Sequence, residues 1–125
     1  MPHKSRLCAL VIDCKDTDPD DAARFWGAAL GKKIAPASPD DGDYRGLGER
    51  DDPVMMMVQK VSHESRVHID IEADDVEAEV ARLEKLGARR LEKVRTWWVM
   101  EAPTGQRFCV VRPQRGTLDG ANEWP

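Results

Sequence analysis

The sequence predicts an α+β domain in which two βαβββ modules form an incomplete barrel around a cavity. Three observations predict it. The order strand, helix, three strands is read twice along the 125 residues. Landmarks of the two passes share one offset, since Asp18, Ala22, Leu30 and Gly31 lie 56 residues before Asp74, Ala78, Leu86 and Gly87. The strand Arg66 to Glu72 sets Val67, Ile69 and Ile71 on one face and His68, Asp70 and Glu72 on the other. The apolar face packs on a helix, so the ionisable face must meet water or a polar cavity.

Each element has a local cause. Arg6 to Cys14 is an apolar-rich first strand, closed by the polar run Lys15-Asp16-Thr17. Asp18 then caps a helix whose first position is Pro19, where a missing N–H costs nothing. Ala22, Phe25, Trp26, Ala29 and Leu30 make its apolar stripe, and Gly31 ends it as a left-handed cap. Strands follow at Lys33 to Ala35, Tyr44 to Leu47 and Val54 to Val61, divided by Pro, Asp and Gly. In the second pass Asp74 opens a helix, with Glu77 completing a capping box and Val76, Val80 and Leu83 facing inward. Leu86-Gly87 ends it, and strands are expected at Arg89 to Arg95, Trp97 to Ala102 and Arg107 to Arg112. The turn Pro103-Thr104-Gly105-Gln106 makes the last two a hairpin. The expected organisation is one domain over 1–113, with modules at about 5–61 and 66–113, and a loose tail over 114–125 in which Trp124 docks on the body or on a partner chain.

Composition narrows the function. A net charge of -4 without a basic run argues against nucleic acid. Arg89, Arg90, Lys93 and Arg95 are interleaved with Leu91, Glu92 and Val94, the pattern of a solvated strand face. No stretch approaches the roughly 20 apolar residues that span a bilayer, so no membrane is expected. Three cysteines, Cys8, Cys14 and Cys109, without a CxxC pair suit reduced thiols and a cytoplasmic location.

The segments "ALVIDCKD", "DPDDAARFWGAALGKK", "VHIDIEADDVEAEVARLEKLGARR" and "VMEAPTGQRFCVVRP" span about residues 7–113. They resemble the glyoxalase-like branch of the vicinal oxygen chelate superfamily, which includes the bleomycin-resistance proteins. The resemblance implies paired βαβββ modules, a small-molecule ligand and, commonly, a homodimer. It departs at the closing turn, where Ala102 precedes Pro103 and Gln106 stands in place of Asn. Enzymes of that superfamily usually hold a divalent metal with His or Gln, Glu, His and Glu, two from each module. The matching positions here are Ala9, one of Met55 to Met57, His68 and Cys109. That set offers one imidazole, one thiol, a thioether and a methyl, so neither the usual metal site nor any cofactor is expected. A soft ion such as Cu(I) is the remaining metal alternative.

The candidate acid–base residues are His68, Asp70 and Asp13, since imidazole titrates near neutrality and burial raises a carboxyl. Met55, Met57 and Gln59 share a strand face opposite Met56, and so are expected to line the cavity with His68, Cys109, Met100 and Trp98. The Met100 and Trp98 assignment assumes that Ala102 pairs with Arg107. The leading expectation is a cavity that binds a planar or apolar small molecule without metal. A metal-free lyase, isomerase or hydratase using His68 with a carboxylate is the alternative, followed by a metal-dependent lyase or dioxygenase with atypical ligands.

Overall fold

A computed structural model describes residues 2–125. In chain order its elements are β1 (His3–Lys15), α1 (Pro19–Leu30), β2 (Tyr44–Leu47), β3 (Met55–Val61), β4 (Arg66–Ala73), α2 (Val76–Lys85), β5 (Arg89–Val94), β6 (Trp97–Glu101), β7 (Arg107–Val111) and β8 (Asn122–Trp124), an α+β architecture. The chain divides into two compact units, one from Ala9 to His68 and one joining the chain up to Cys8 with Ile69–Pro125.

In the unit Ala9–His68, β1 runs parallel to β3 and β3 antiparallel to β2. The expected strand at Lys33 to Ala35 reduces to one bridge, Ile34 with Leu47. Ala35 donates to the Gly46 carbonyl, but Pro36 has no N–H with which to continue the ladder. Helix α1 starts as expected: the Asp18 side chain accepts from the Asp20 N–H, and Gly31 closes it at φ 65°. Its inner face differs from the predicted stripe. Ala22, Ala23 and Gly27 are buried and Trp26 packs with them, whereas Phe25 and Leu30 are exposed. The cause is close approach. A Cβ on Gly27 would lie 3.0 Å from the Lys32 carbonyl oxygen and 3.4 Å from an Ile34 carbon, so small residues must face the sheet.

The other unit repeats the pattern in full. Strand β4 is parallel to β7, β7 antiparallel to β6, and β6 antiparallel to β5. Ala73, Val80, Leu83, Met100, Phe108 and Val110 form its core. The cap of α2 shifts by one residue from expectation. Asp75 accepts from the Ala78 N–H, while Asp74 exchanges hydrogen bonds with the Lys4 backbone. Glu77 reaches Trp98 and Arg90 instead of closing a capping box.

The segment after Pro113 is not loose. Strand β8 pairs antiparallel with β1, His3 opposite Trp124, and Leu118 is buried. A polar clasp fastens it. Trp124 Nε1 donates to Ser5 Oγ, Ser5 Oγ donates to Glu79, and Arg82 grips both Glu79 oxygens while lying 3.7 Å from the Trp124 ring centroid. His3 Nε2 completes the set, 2.8 Å from Glu79. Burial alone would raise the Glu79 carboxyl, but the hydrogen bonds from Arg82, His3 and Ser5 outweigh it and hold it at about 2.

Candidate functional site

Strand alternation builds one wall of the unit Ala9–His68. Ile12, Cys14 and Val58 point toward α1, with Met56 packed against them. The intervening residues therefore face the other way, and they stand in register: Ala9 with Met55, Val11 with Met57, Asp13 with Gln59. Met55, Met57 and Gln59 thus share the face expected of them. Ala9 and Val11 are fully buried and the two methionines half-buried, so the wall is apolar and deformable.

At its end the wall becomes polar. His68, on the face of β4 that it shares with Arg66, places Nδ1 2.9 Å from Asp13 Oδ2. The carboxylate is 2% exposed and the imidazole 13% exposed. A carboxylate oxygen can only accept, so Nδ1 carries the ring proton and Nε2 is the basic nitrogen of the neutral imidazole. Asp13 Oδ1 is buried and has no hydrogen-bond partner among the described residues. A buried acceptor left so costs about 1–3 kcal/mol.

Two further groups face the same oxygen. His63 Nε2 is 3.8 Å and Arg66 Nε 3.9 Å from Asp13 Oδ2. His63 donates from Nδ1 to the Glu64 carbonyl and accepts from Arg66 Nη2 at 3.3 Å, which orients its ring. Neither His63 nor Arg66 was among the sequence candidates. For Arg66 the signal was present in its spacing, two residues before His68 and hence on its face.

The remaining candidates lie in the other unit. Asp70 is in register with Cys109, and Cys109 with Val99. Trp98 and Met100 do not join them, because the β6–β7 hairpin pairs Glu101 with Arg107 and Met100 with Phe108. The expected register was off by one residue, which reverses every side chain of β6. Met100 is fully buried in the core under α2, and Trp98 packs on that core with Nε1 donating to Glu77. Those contacts, with Arg90, hold the Glu77 carboxyl below its usual range. Glu72, next along β4, is fully buried and saturated: Oε2 accepts from Arg6 and Oε1 from the Gln114 N–H. Beside it, burial pushes the Cys8 thiol up to about 12, with Glu72 and Asp70 adding to the shift. A cavity of about 490 Å³ also belongs to this unit, lined by His3, Lys4, Asp74, Glu123 and Trp124 among others. It holds none of the sequence candidates.

The metal positions implied by the resemblance do not carry the usual ligand set. Ala9 has no donor, and Met55, its register partner, offers a thioether. His68 commits Nδ1 to Asp13, and Cys109 supplies a thiol in place of a carboxylate. Of the four positions only His68 offers a nitrogen donor and none offers an oxygen, so the oxygen-rich set that a hard dication takes is not present at them. Among the described residues no helix is long and apolar enough to cross a membrane.

Comparison with known proteins agrees with this architecture. The family model described as a glyoxalase-like domain matches residues 9–111. No curated protein matches the chain in sequence. Among solved structures, methylmalonyl-CoA epimerase of Streptomyces coelicolor, in complex with 2-nitronate-propionyl-CoA, superposes at TM-score 0.58 and 16% identity, over 88% of this chain and 99% of that one. Methylmalonyl-CoA epimerase from Mycobacterium tuberculosis gives 0.60 at 16%, over 86% of this chain and 87% of that one. An extradiol ring-cleaving dioxygenase from B. fuscum gives 0.58 at 13%, over 90% of this chain and 34% of that one. At such identities the likeness is one of fold.

Proposed function

The chain belongs to the glyoxalase-like domain family of the vicinal oxygen chelate superfamily, and from that premise we propose that it binds a small organic molecule against the Met55–Met57 wall and moves a proton on it with His68, without a metal. The observation that carries this reading is the hydrogen bond from His68 Nδ1 to buried Asp13. A carboxylate behind an imidazole fixes the tautomer, aims the basic nitrogen, and stabilises the imidazolium formed when the base takes a proton. The apolar wall supplies binding area without competing polar groups. Proton transfer at carbon adjacent to a carbonyl is a reaction class that uses a base so held, as in a lyase, isomerase or hydratase.

A second reading has its own support. Met55 and Met57 form a polarisable surface suited to holding a flat apolar molecule with no reaction. One experiment separates the two. A panel of small carbonyl compounds is incubated with the protein in D2O, and deuteration next to the carbonyl is followed by proton NMR with and without EDTA. Proton transfer predicts protein-dependent deuteration that EDTA leaves unchanged and that His68→Gln lowers by about 100-fold or more. Deuteration that needs an added dication, or that survives His68→Gln, contradicts it. Binding without deuteration favours the second reading.

A further inference from the structure

We infer that Arg66 is the anion-recognition group of the His68 site, so that the molecule handled there carries a carboxylate, or an equivalent planar oxyanion, beside the atom on which His68 acts. This rests on the reading of His68 as the group that meets the ligand. Arg66 and His68 stand two residues apart on β4 and so project from the same face. Both are set against a single atom, Asp13 Oδ2, at 3.9 Å and 2.9 Å. Guanidinium and imidazole are therefore separated by no more than the distance across one small ligand.

The guanidinium is held without being used up. His63, oriented by the Glu64 carbonyl, accepts one N–H from Arg66 at 3.3 Å. Asp13 lies beyond hydrogen-bond reach of Arg66 and acts on it through charge alone. Four of the five guanidinium donors thus remain for another partner, and the side chain is 40% exposed. The other nearby cation, Lys15, is already bound to Glu64 at 2.7 Å. A rigid fork of donors is matched by a planar pair of oxygens, the geometry of a bidentate carboxylate contact.

The test uses benzoate and benzamide, equal in shape and differing in charge, titrated into the 15N-labelled full chain while the Arg66 Nε and His68 side-chain signals are followed. Benzoate is expected to move both signals and to bind about tenfold more tightly than benzamide, the worth of one charge-assisted contact. Arg66→Gln should abolish the preference, and Arg66→Lys should restore part of it. His68→Gln should leave the preference intact, which separates anion recognition from the base role. Equal binding of the two probes, a preference that survives Arg66→Gln, or shifts confined to other residues would overturn the inference, and so would no binding of benzoate at all. If instead the preference holds while His68→Gln leaves proton transfer untouched, the base role fails and the anion site stands.

Discussion

Asp13 and Glu72 are both buried carboxylates on strands that face away from a helix, yet the structure treats them in opposite ways. Glu72 has each oxygen satisfied, by the Arg6 guanidinium and by the Gln114 N–H. Asp13 has one oxygen on an imidazole and the other without a hydrogen-bond partner among the described residues. A saturated buried carboxylate holds chain segments together, because removing it strands its donors. A half-satisfied one carries a local cost, and it stands beside the His68 imidazole, a group suited to proton transfer at neutral pH. The difference separates a brace from a candidate site. It also places both braces, Glu72 and Glu79, in the unit that contains β8, and the dyad in the other.

The largest expected effect concerns the braces. Glu72→Ala should lower the unfolding free energy by about 3–5 kcal/mol, measured by urea denaturation, because it leaves a buried donor set uncompensated. Asp13→Asn should cost less than about 1 kcal/mol, since half of that carboxylate's capacity is unused. A result in the reverse order would erase the distinction.

Next in size is the acid response. The folded-state Glu79 carboxyl is held at about 2, below its ordinary value of 4.5. A depressed carboxyl contributes stability that is present above 4.5 and is lost as pH falls toward 2. Thermal melting between pH 5 and pH 2 should therefore show a loss that is smaller in Glu79→Gln than in the parent. An unchanged slope in the variant would place the acid sensitivity elsewhere.

The smallest effect distinguishes the thiols. Cys8 is 1% exposed with its thiol pushed up to about 12, whereas Cys109 is partly exposed. Alkylation by iodoacetamide at pH 8, located by mass spectrometry, should label Cys109 first and Cys8 only on unfolding. Early labelling of Cys8 would show that its unit opens readily.

Much of this was legible in the sequence because it is local. The offset of 56 residues, the Asp18 and Gly31 caps, and the sorting of Met55 and Met57 from Met56 follow from helix and strand periodicity. Asp13 and His68 were each candidates, but their pairing joins residues 55 apart and no pattern in either strand encodes it. The hairpin failed for a different reason. Its register depends on turn geometry, and pairing Glu101 rather than Ala102 with Arg107 turned Trp98 and Met100 from the expected cavity into the core. The closing strand was missed because Asn122–Trp124 is short, and its support comes from His3, Ser5 and Arg82, far away in sequence. Phe25 and Leu30 look like core residues until Gly27 shows which side of α1 approaches the sheet.

The account rests on Asp13 fixing the His68 ring. Long-range 1H–15N NMR of the imidazole reads this directly, in the parent chain and in Asp13→Asn, at a pH where His68 is neutral. The account predicts a proton on Nδ1 and an unprotonated Nε2 in the parent, with the tautomer mixed in Asp13→Asn and no change on adding Mg2+ or Zn2+. A parent ring protonated on Nε2, or one whose nitrogen signals shift on binding either ion, would contradict it.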